Sequence, residues 1–139
     1  MTRNNDLVFV DTGAWIALAL TRDPLHERVR AAWEDLLHKG ARLATSVPVV
    51  LETFTFLDRN ATRDVALAWK NSLAGLPRFR QLECGNRDVE RAWAYFAKPE
   101  LHKLSAVDAT SFVLMAREKI RLAFAFDHHF ASAGFRLVG

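Results

Sequence analysis

Four acidic residues stand where the chain otherwise reads as apolar or as an element boundary. Asp11 breaks the nearly apolar run Leu7 to Leu20, and Glu52 lies inside the mostly apolar stretch Val47 to Leu57. Asp108 follows Leu104-Ser105-Ala106-Val107, and Asp127 directly follows the apolar segment Leu122 to Phe126. A charge taken out of water without a partner is costly. Carboxylates held a few ångströms apart also repel, and some take up protons unless a cation neutralises them. A divalent ion is a partner that several acids can share, and an all-oxygen donor set favours Mg²⁺ or Mn²⁺ over zinc. Such an ion polarises a phosphate, neutralises developing charge and lowers the pKa of a bound water, which is the chemistry of phosphoryl transfer. Taken singly, each acid also has a plain structural explanation. Asp11 and Asp127 fit helix N-caps or strand ends, and Ser105-Ala106-Val107-Asp108 fits a capping box.

The elements that must carry these acids alternate between strand and helix. Leu7–Val10, Arg42–Thr45, Phe79–Leu82, Leu122–Phe126 and Phe135–Val138 read as short strands. Between them run helical patterns: Gly13 to Leu20, then a helix capped by Asp23-Pro24 and ended by Gly40. Ser46 and Pro48 open the next, and Thr62 caps a further one bearing Val65, Trp69 and Leu73. Asn86 caps a helix with Val89, Trp93 and Phe96 on its apolar face, and Ser105 opens one striped by Ala109, Phe112, Val113 and Ala116. This rhythm implies one α/β domain over residues 1–139, a three-layer α/β/α sandwich around a central parallel sheet. Ligands of open parallel sheets bind outside the carboxyl ends of the strands, so Asp11 and Asp127 point to the functional rim. Whether Glu52 and Asp108 join them depends on loop geometry that sequence alone does not fix.

Composition sets the outer bounds. With 139 residues, half of them hydrophobic, the chain can bury a sizeable core. The formal net charge of +3 says little alone, and a pI near 9.4 tilts modestly toward an anionic partner such as nucleic acid. Cys84 is the only cysteine, so no intrachain disulfide forms. The polar start Met1 to Asp6 lacks a signal-peptide pattern, and Leu7 to Leu20 is too short and too interrupted to span a bilayer. The expectation is a soluble, cytoplasmic protein. The sequence has no phosphate-binding lysine loop, no dinucleotide glycine fingerprint and no nucleophile elbow.

At its acids the sequence resembles the PIN-domain family, and within it the VapC-type toxins. The matching segments are Phe9-Val10-Asp11-Thr12, Val50-Leu51-Glu52-Thr53, Leu104-Ser105-Ala106-Val107-Asp108-Ala109 and Ala125-Phe126-Asp127-His128-His129-Phe130, with Ala133-Gly134-Phe135 behind them. No one segment is specific, but the ordered set is. The resemblance implies a Mg²⁺- or Mn²⁺-dependent endoribonuclease that hydrolyses RNA phosphodiesters. It maps the family's acidic quartet onto Asp11, Glu52, Asp108 and Asp127, with Asp11 and Asp108 as the most dependable metal ligands. It also implies a homodimer and a small antitoxin as partner.

Thr12 is a candidate for steadying a ligand or binding phosphate, against the alternative of an ordinary N-cap. His128 is a candidate for substrate contact. The competing view of His128 and His129 is an exposed pair on a short terminal helix, pointing in different directions. Trp15, Trp33, Trp69 and Trp93 read as core or interface anchors, and the helices around Trp33 and Trp69 could frame a groove for a partner helix. Two other classes compete. A dehalogenase-like phosphatase would need an acid two positions after Asp11, where Gly13 stands, and a phosphoaspartate receiver would need a lysine where Asp127 stands. An inactive scaffold that binds RNA or protein would have no need of all four acids.

Overall fold

The computed structural model describes residues 6–139. Five strands form one parallel sheet: β1 (Leu7–Val10), β2 (Arg42–Ser46), β3 (Phe79–Leu82), β4 (Leu122–Phe124) and β5 (Arg136–Val138). Their spatial order is β3-β2-β1-β4-β5, and Val8 stands opposite Leu43 on one side and Leu122 on the other. Val8, Phe9 and Val10 are wholly buried, as expected of a central strand covered on both faces.

Among the described residues, seven α-helices cover the sheet: α1 (Thr12–Ala19), α2 (His26–His38), α3 (Val47–Asn60), α4 (Arg63–Ser72), α5 (Asn86–Ala92), α6 (Ala106–Arg117) and α7 (His129–Ser132). α1 packs on α2 and α3, and α3 on α4, while α5 packs on α6 and α6 on α7. Right-handed crossovers put the first group on one face and the second on the other. The result is the three-layer arrangement expected from the alternation of elements. Trp15 anchors the first layer, edge-on to Trp33, Trp69 and Phe79. Phe112 anchors the second, against Tyr95, Phe130 and Phe135.

Local signals set the element ends. The Ser46, Thr62 and Ser105 hydroxyls accept from the backbone N–H of Val49, Val65 and Asp108, each worth about 1 kcal/mol. Gly40 takes φ +71° after α2, a conformation open to glycine without a Cβ penalty.

Several expected details differ. Asp23 does not cap α2: its carboxylate accepts from the Leu25 N–H in a tight turn, and the helix starts at His26. Gly85, not Asn86, is the N-cap of α5, with the Asp88 carboxylate accepting from its N–H. Trp93 and Phe96 are 52% and 46% exposed rather than core-facing. The chain tightens into 3-10 geometry over Trp93–Ala97, which changes the side-chain phase and turns Tyr95 inward instead. Ala116 is exposed at the end of α6, and β4 pairs only to Phe124 because the chain leaves the sheet before Asp127.

Candidate active site

The strand order reverses between β1 and β4: the chain runs outward through β2 and β3, then returns to place β4 on the other side of β1. The crevice outside the carboxyl ends at such a reversal is where open α/β sheets bind ligands. Asp11 follows β1 directly, and its N–H donates to the Phe124 carbonyl at the end of β4 at 3.0 Å. Asp11 therefore sits at the reversal itself. The Thr45 hydroxyl donates to the Val10 carbonyl at 2.9 Å and accepts from Trp15 Nε1 at 3.1 Å, which ties β1, β2 and α1 together behind it.

Glu52 comes from α3, which Ser46 caps at the end of β2. It reaches Thr12, whose hydroxyl donates to Glu52 Oε1 at 2.6 Å. Thr12 thus links the first residue of α1 to the α3 acid instead of capping a helix. Asp108 comes from the first turn of α6 and is 7% exposed. Asp127, beyond β4, lies within hydrogen-bonding reach of Asp108 when one of the two is protonated. The structure brings Asp11, Glu52, Asp108 and Asp127 together on one rim.

The electrostatics of the cluster are those of packed like charges. Burial, then the charge of Asp108, pushes Asp11 up to about 8; Glu52 and Asp127 add to this, and the Thr12 amide offsets part of it. Burial, then Asp127 and Glu52, pushes Asp108 up to about 7, with the Ser105 hydroxyl opposing. Burial would raise Asp127 as well, but the N–H and ring of His129 outweigh it and hold this carboxyl below its ordinary value. One acid is kept ionised while two neighbours are pushed toward protonation.

Asp11 occupies the N-cap position of α1, yet its side chain makes no capping hydrogen bond there. Its Oδ1 is buried and has no hydrogen-bond partner among the described residues. A buried, unpartnered carboxylate oxygen facing three other acids fits a hard divalent cation. Asp11, Asp108 and Asp127 are the carboxylates that would hold it, with Glu52 beside them.

His129 was not singled out by sequence reasoning, which chose His128. His128 is exposed, its Nδ1 3.8 Å from Asp127 Oδ1. His129 is 5% exposed; its N–H donates to Asp127 Oδ1 at 2.9 Å, and its Nδ1 lies 2.7 Å from the same oxygen. Its Nε2 donates to the His102 carbonyl at 2.6 Å. The two rings do not diverge as expected of adjacent helical residues. They lie 4.3 Å apart, because His128 precedes the four-residue helix α7 rather than sitting within it. The available signal was the aspartate itself. An Asp two residues ahead of a helix start tends to accept that residue's N–H, which turns the residue toward the carboxylate. Asp127, His128 and His129 group closely enough to suggest a separate metal site. The His129 N–H on Asp127, its Nδ1 at ion-pair distance from the same carboxylate and its Nε2 on the His102 carbonyl argue instead for a residue that holds Asp127 in place.

A parallel sheet with a carboxylate cluster at its reversal point defines a class: α/β domains that gather acids at the carboxyl edge of the sheet, an arrangement suited to a hard divalent cation. The chain belongs to the PIN-domain family, whose model matches residues 8–136. It is 34% identical over 130 residues to the 23S rRNA-specific endonuclease VapC20 of Mycobacterium tuberculosis, covering 93% of this chain and 95% of that one. The crystal structure of that Mycobacterium tuberculosis VapC20, described as a sarcin-ricin loop cleaving toxin, superposes with a TM-score of 0.82 at 32% identity, over 92% of this chain and 95% of that chain. The VapBC2 structure from Rickettsia felis, bound to a promoter DNA fragment, matches at TM-score 0.68 and 12% identity, over 94% of this chain and 96% of that chain, and shows the shared fold. PIN-domain nucleases are in general divalent-metal dependent. Among the described residues, no helix is long and apolar enough to cross a membrane.

Proposed function

We propose that this chain is an endoribonuclease that cuts RNA phosphodiesters with Mg²⁺ or Mn²⁺ held by Asp11, Asp108 and Asp127, with Glu52 completing the acidic set. The observation that carries the reading is the buried Asp11 Oδ1, without a hydrogen-bond partner among the described residues, in a carboxyl whose charge couples to three further acids at the sheet's reversal point. When bound, the ion neutralises charge on the scissile phosphate and lowers the pKa of a water. The protein's own residues prepare that site. Thr12 fixes Glu52 through a 2.6 Å hydrogen bond, and His129 fixes Asp127 while itself braced on the His102 carbonyl. Such bracing keeps mutually repelling carboxylates aimed at one point. The likeness to VapC20 supports ribosomal RNA as the substrate class and a toxin role.

A toxin role calls for a cognate antitoxin, and a groove fits one. Trp15, Leu18, Trp33, Val65, Trp69 and Leu76 line a cleft of about 430 Å³ between α1, α2 and α4. An amphipathic helix laid in such a groove buries apolar residues at helical spacing. We assign it to the antitoxin.

The test is cleavage of a labelled RNA panel that includes 23S rRNA, with Mg²⁺, with Mn²⁺ and with EDTA. The expected result is metal-dependent cleavage that Asp11→Asn and Asp108→Asn each abolish. Cleavage that persists unchanged in both variants would remove the site assignment, and RNA binding without cleavage in any metal would make the chain an inactive scaffold.

A further inference from the structure

The opposite end of the sheet carries its own pattern. Each of the four strands other than β1 is entered through an arginine: Arg42 is the first residue of β2, Arg78 immediately precedes β3, Arg121 immediately precedes β4, and Arg136 is the first residue of β5. The parallel register sets Leu43 beside Phe79 and Leu122 beside Arg136, so these arginines fall within one residue of a common line across the sheet. Neighbouring strands lie about 4.8 Å apart, so the row spans roughly 19 Å.

The row lines a groove. One cleft of about 690 Å³ lies over the starts of β3, β2 and β1, and a second of about 700 Å³ lies over the starts of β4 and β5. The two share Asp6, Lys119, Arg121 and Leu122 and so adjoin along this edge of the sheet. Besides the four arginines it holds Arg80 and Lys119, against only Asp6 and Glu118 as acids. Glu118 is already taken by Arg80 at 3.1 Å and Arg117 at 2.9 Å. Arg78, Lys119 and Arg121 form no ion pair with any described residue.

Two of these cations are kept on unfavourable backbone. Arg78 has φ 49° and Lys119 has φ 58°, the left-handed region that favours glycine. Lys119 sits just beyond α6, in the same place that Gly40 occupies just beyond α2. Glycine there would relieve the strain, so the cation is retained against local preference.

We propose that this N-terminal-edge groove is a second RNA-backbone site, which grips phosphates of the substrate distant from the cut. The proposal rests on the ribonuclease reading above. The groove stands roughly 13 Å or more from the acids, the length of β1 between Leu7 and Asp11, so it takes RNA beyond the scissile bond. A row of guanidinium groups suits a polyanion whose charges repeat every few ångströms, because each neutralised phosphate releases counterions. Bases need not be read here. The groove adds grip and leaves sequence selection to the catalytic rim.

The test uses the whole chain and three probes: a long 23S rRNA fragment, a short stem-loop too small to reach both edges, and poly-glutamate. Affinity is measured by fluorescence anisotropy in EDTA across a salt series, and cleavage of the short probe is followed with Mn²⁺. In the triple variant R78Q/K119G/R121Q the long fragment should bind about tenfold more weakly, with the slope of log affinity against log salt shallower by about 2. Cleavage of the short probe should be unchanged. K119G alone should raise Tm while weakening the long fragment, which separates lost contacts from lost folding. Unchanged affinity and salt slope for the long fragment overturn the proposal, and so does an equal loss on both probes. Loss of poly-glutamate binding with RNA binding intact overturns it in favour of an acidic protein partner. A chain that cleaves but whose long-fragment affinity ignores the triple variant defeats only the groove, and groove-dependent binding by a chain that never cleaves defeats only the nuclease reading.

Discussion

Asp11→Asn should make the metal-free protein more stable at alkaline pH while ending its activity. The Asp11 carboxyl is pushed from 3.8 up to about 8 by burial and by the charges of Asp108, Glu52 and Asp127. An acid whose folded pKa exceeds its unfolded one contributes stability in full below the unfolded value, and loses it as pH rises through the folded value. Each unit is worth ~1.4 kcal/mol. Between about pH 5 and about pH 8.5 the wild type crosses roughly three such units, a loss of about 4 kcal/mol from Asp11. Asp108, pushed to about 7 chiefly by burial and Asp127, contributes a further loss that remains in the variant. Any cost of burying the asparagine amide is the same at both pH values and cancels in the difference. The assay is urea unfolding of both proteins in EDTA at the two pH values. The variant's loss should be smaller by about 4 kcal/mol, or about half that if water relaxes around the charge. Curves parallel to within ~1 kcal/mol would refute the reasoning, because they would mean that Asp11 is already neutralised or solvated in the fold. Adding Mn²⁺ should reverse the order, since binding to the folded state stabilises only the protein that still holds the ion.

Three further outcomes follow from the same cluster. Metal affinity should climb steeply with pH below about 7, where Asp11 and Asp108 are both protonated, and flatten above about 8; calorimetry in two buffers of different ionisation enthalpy should detect up to two protons released, and a flat profile would count against shared binding. Thr12→Val should lower kcat on the order of tenfold by freeing Glu52, with stability within ~1.5 kcal/mol of wild type, whereas Thr12→Ser should keep both rate and stability. His129→Gln should lower cleavage on the order of 10- to 100-fold and raise the Asp127 carboxyl pKa, followed by carboxylate NMR in the metal-free protein; a wild-type rate would reduce His129 to a packing residue.

Much of the architecture is legible in the sequence because buried parallel strands leave a simple trace. Val8-Phe9-Val10 and Leu122-Ala123-Phe124 are apolar without alternation, since both faces of each strand are covered. The acids are legible for a related reason: Asp11 and Glu52 are charges set in apolar surroundings. What the sequence hides is how Asp108 reaches the rim. α5 leaves the rim after β3, and the chain must return before α6 can begin there. The return runs through the 3-10 turns Trp93–Ala97 and Pro99–Leu101, and the first of these reads in the sequence as a continuing amphipathic helix. The same misreading sent Trp93 and Phe96 to the core. His129 was hidden because its role depends on a turn geometry and on the carbonyl of His102, 27 residues away.

The two ends of the sheet carry the marks of function as departures from local rule. At the carboxyl edge, Asp11 stands where a capping residue belongs and does not cap. An uncharged residue there would remove the repulsion, a gain of several kcal/mol at high pH by the linkage above. At the amino edge, Lys119 holds a left-handed backbone where glycine would be free of strain, a gain on the order of 1 kcal/mol. A sequence selected for stability alone would change both positions. The chain keeps a surplus of negative charge at one edge and of positive charge at the other, and each makes sense only when a ligand of opposite charge is bound. On the readings proposed above, those ligands are the divalent cation at the first edge and the phosphates of the RNA at the second.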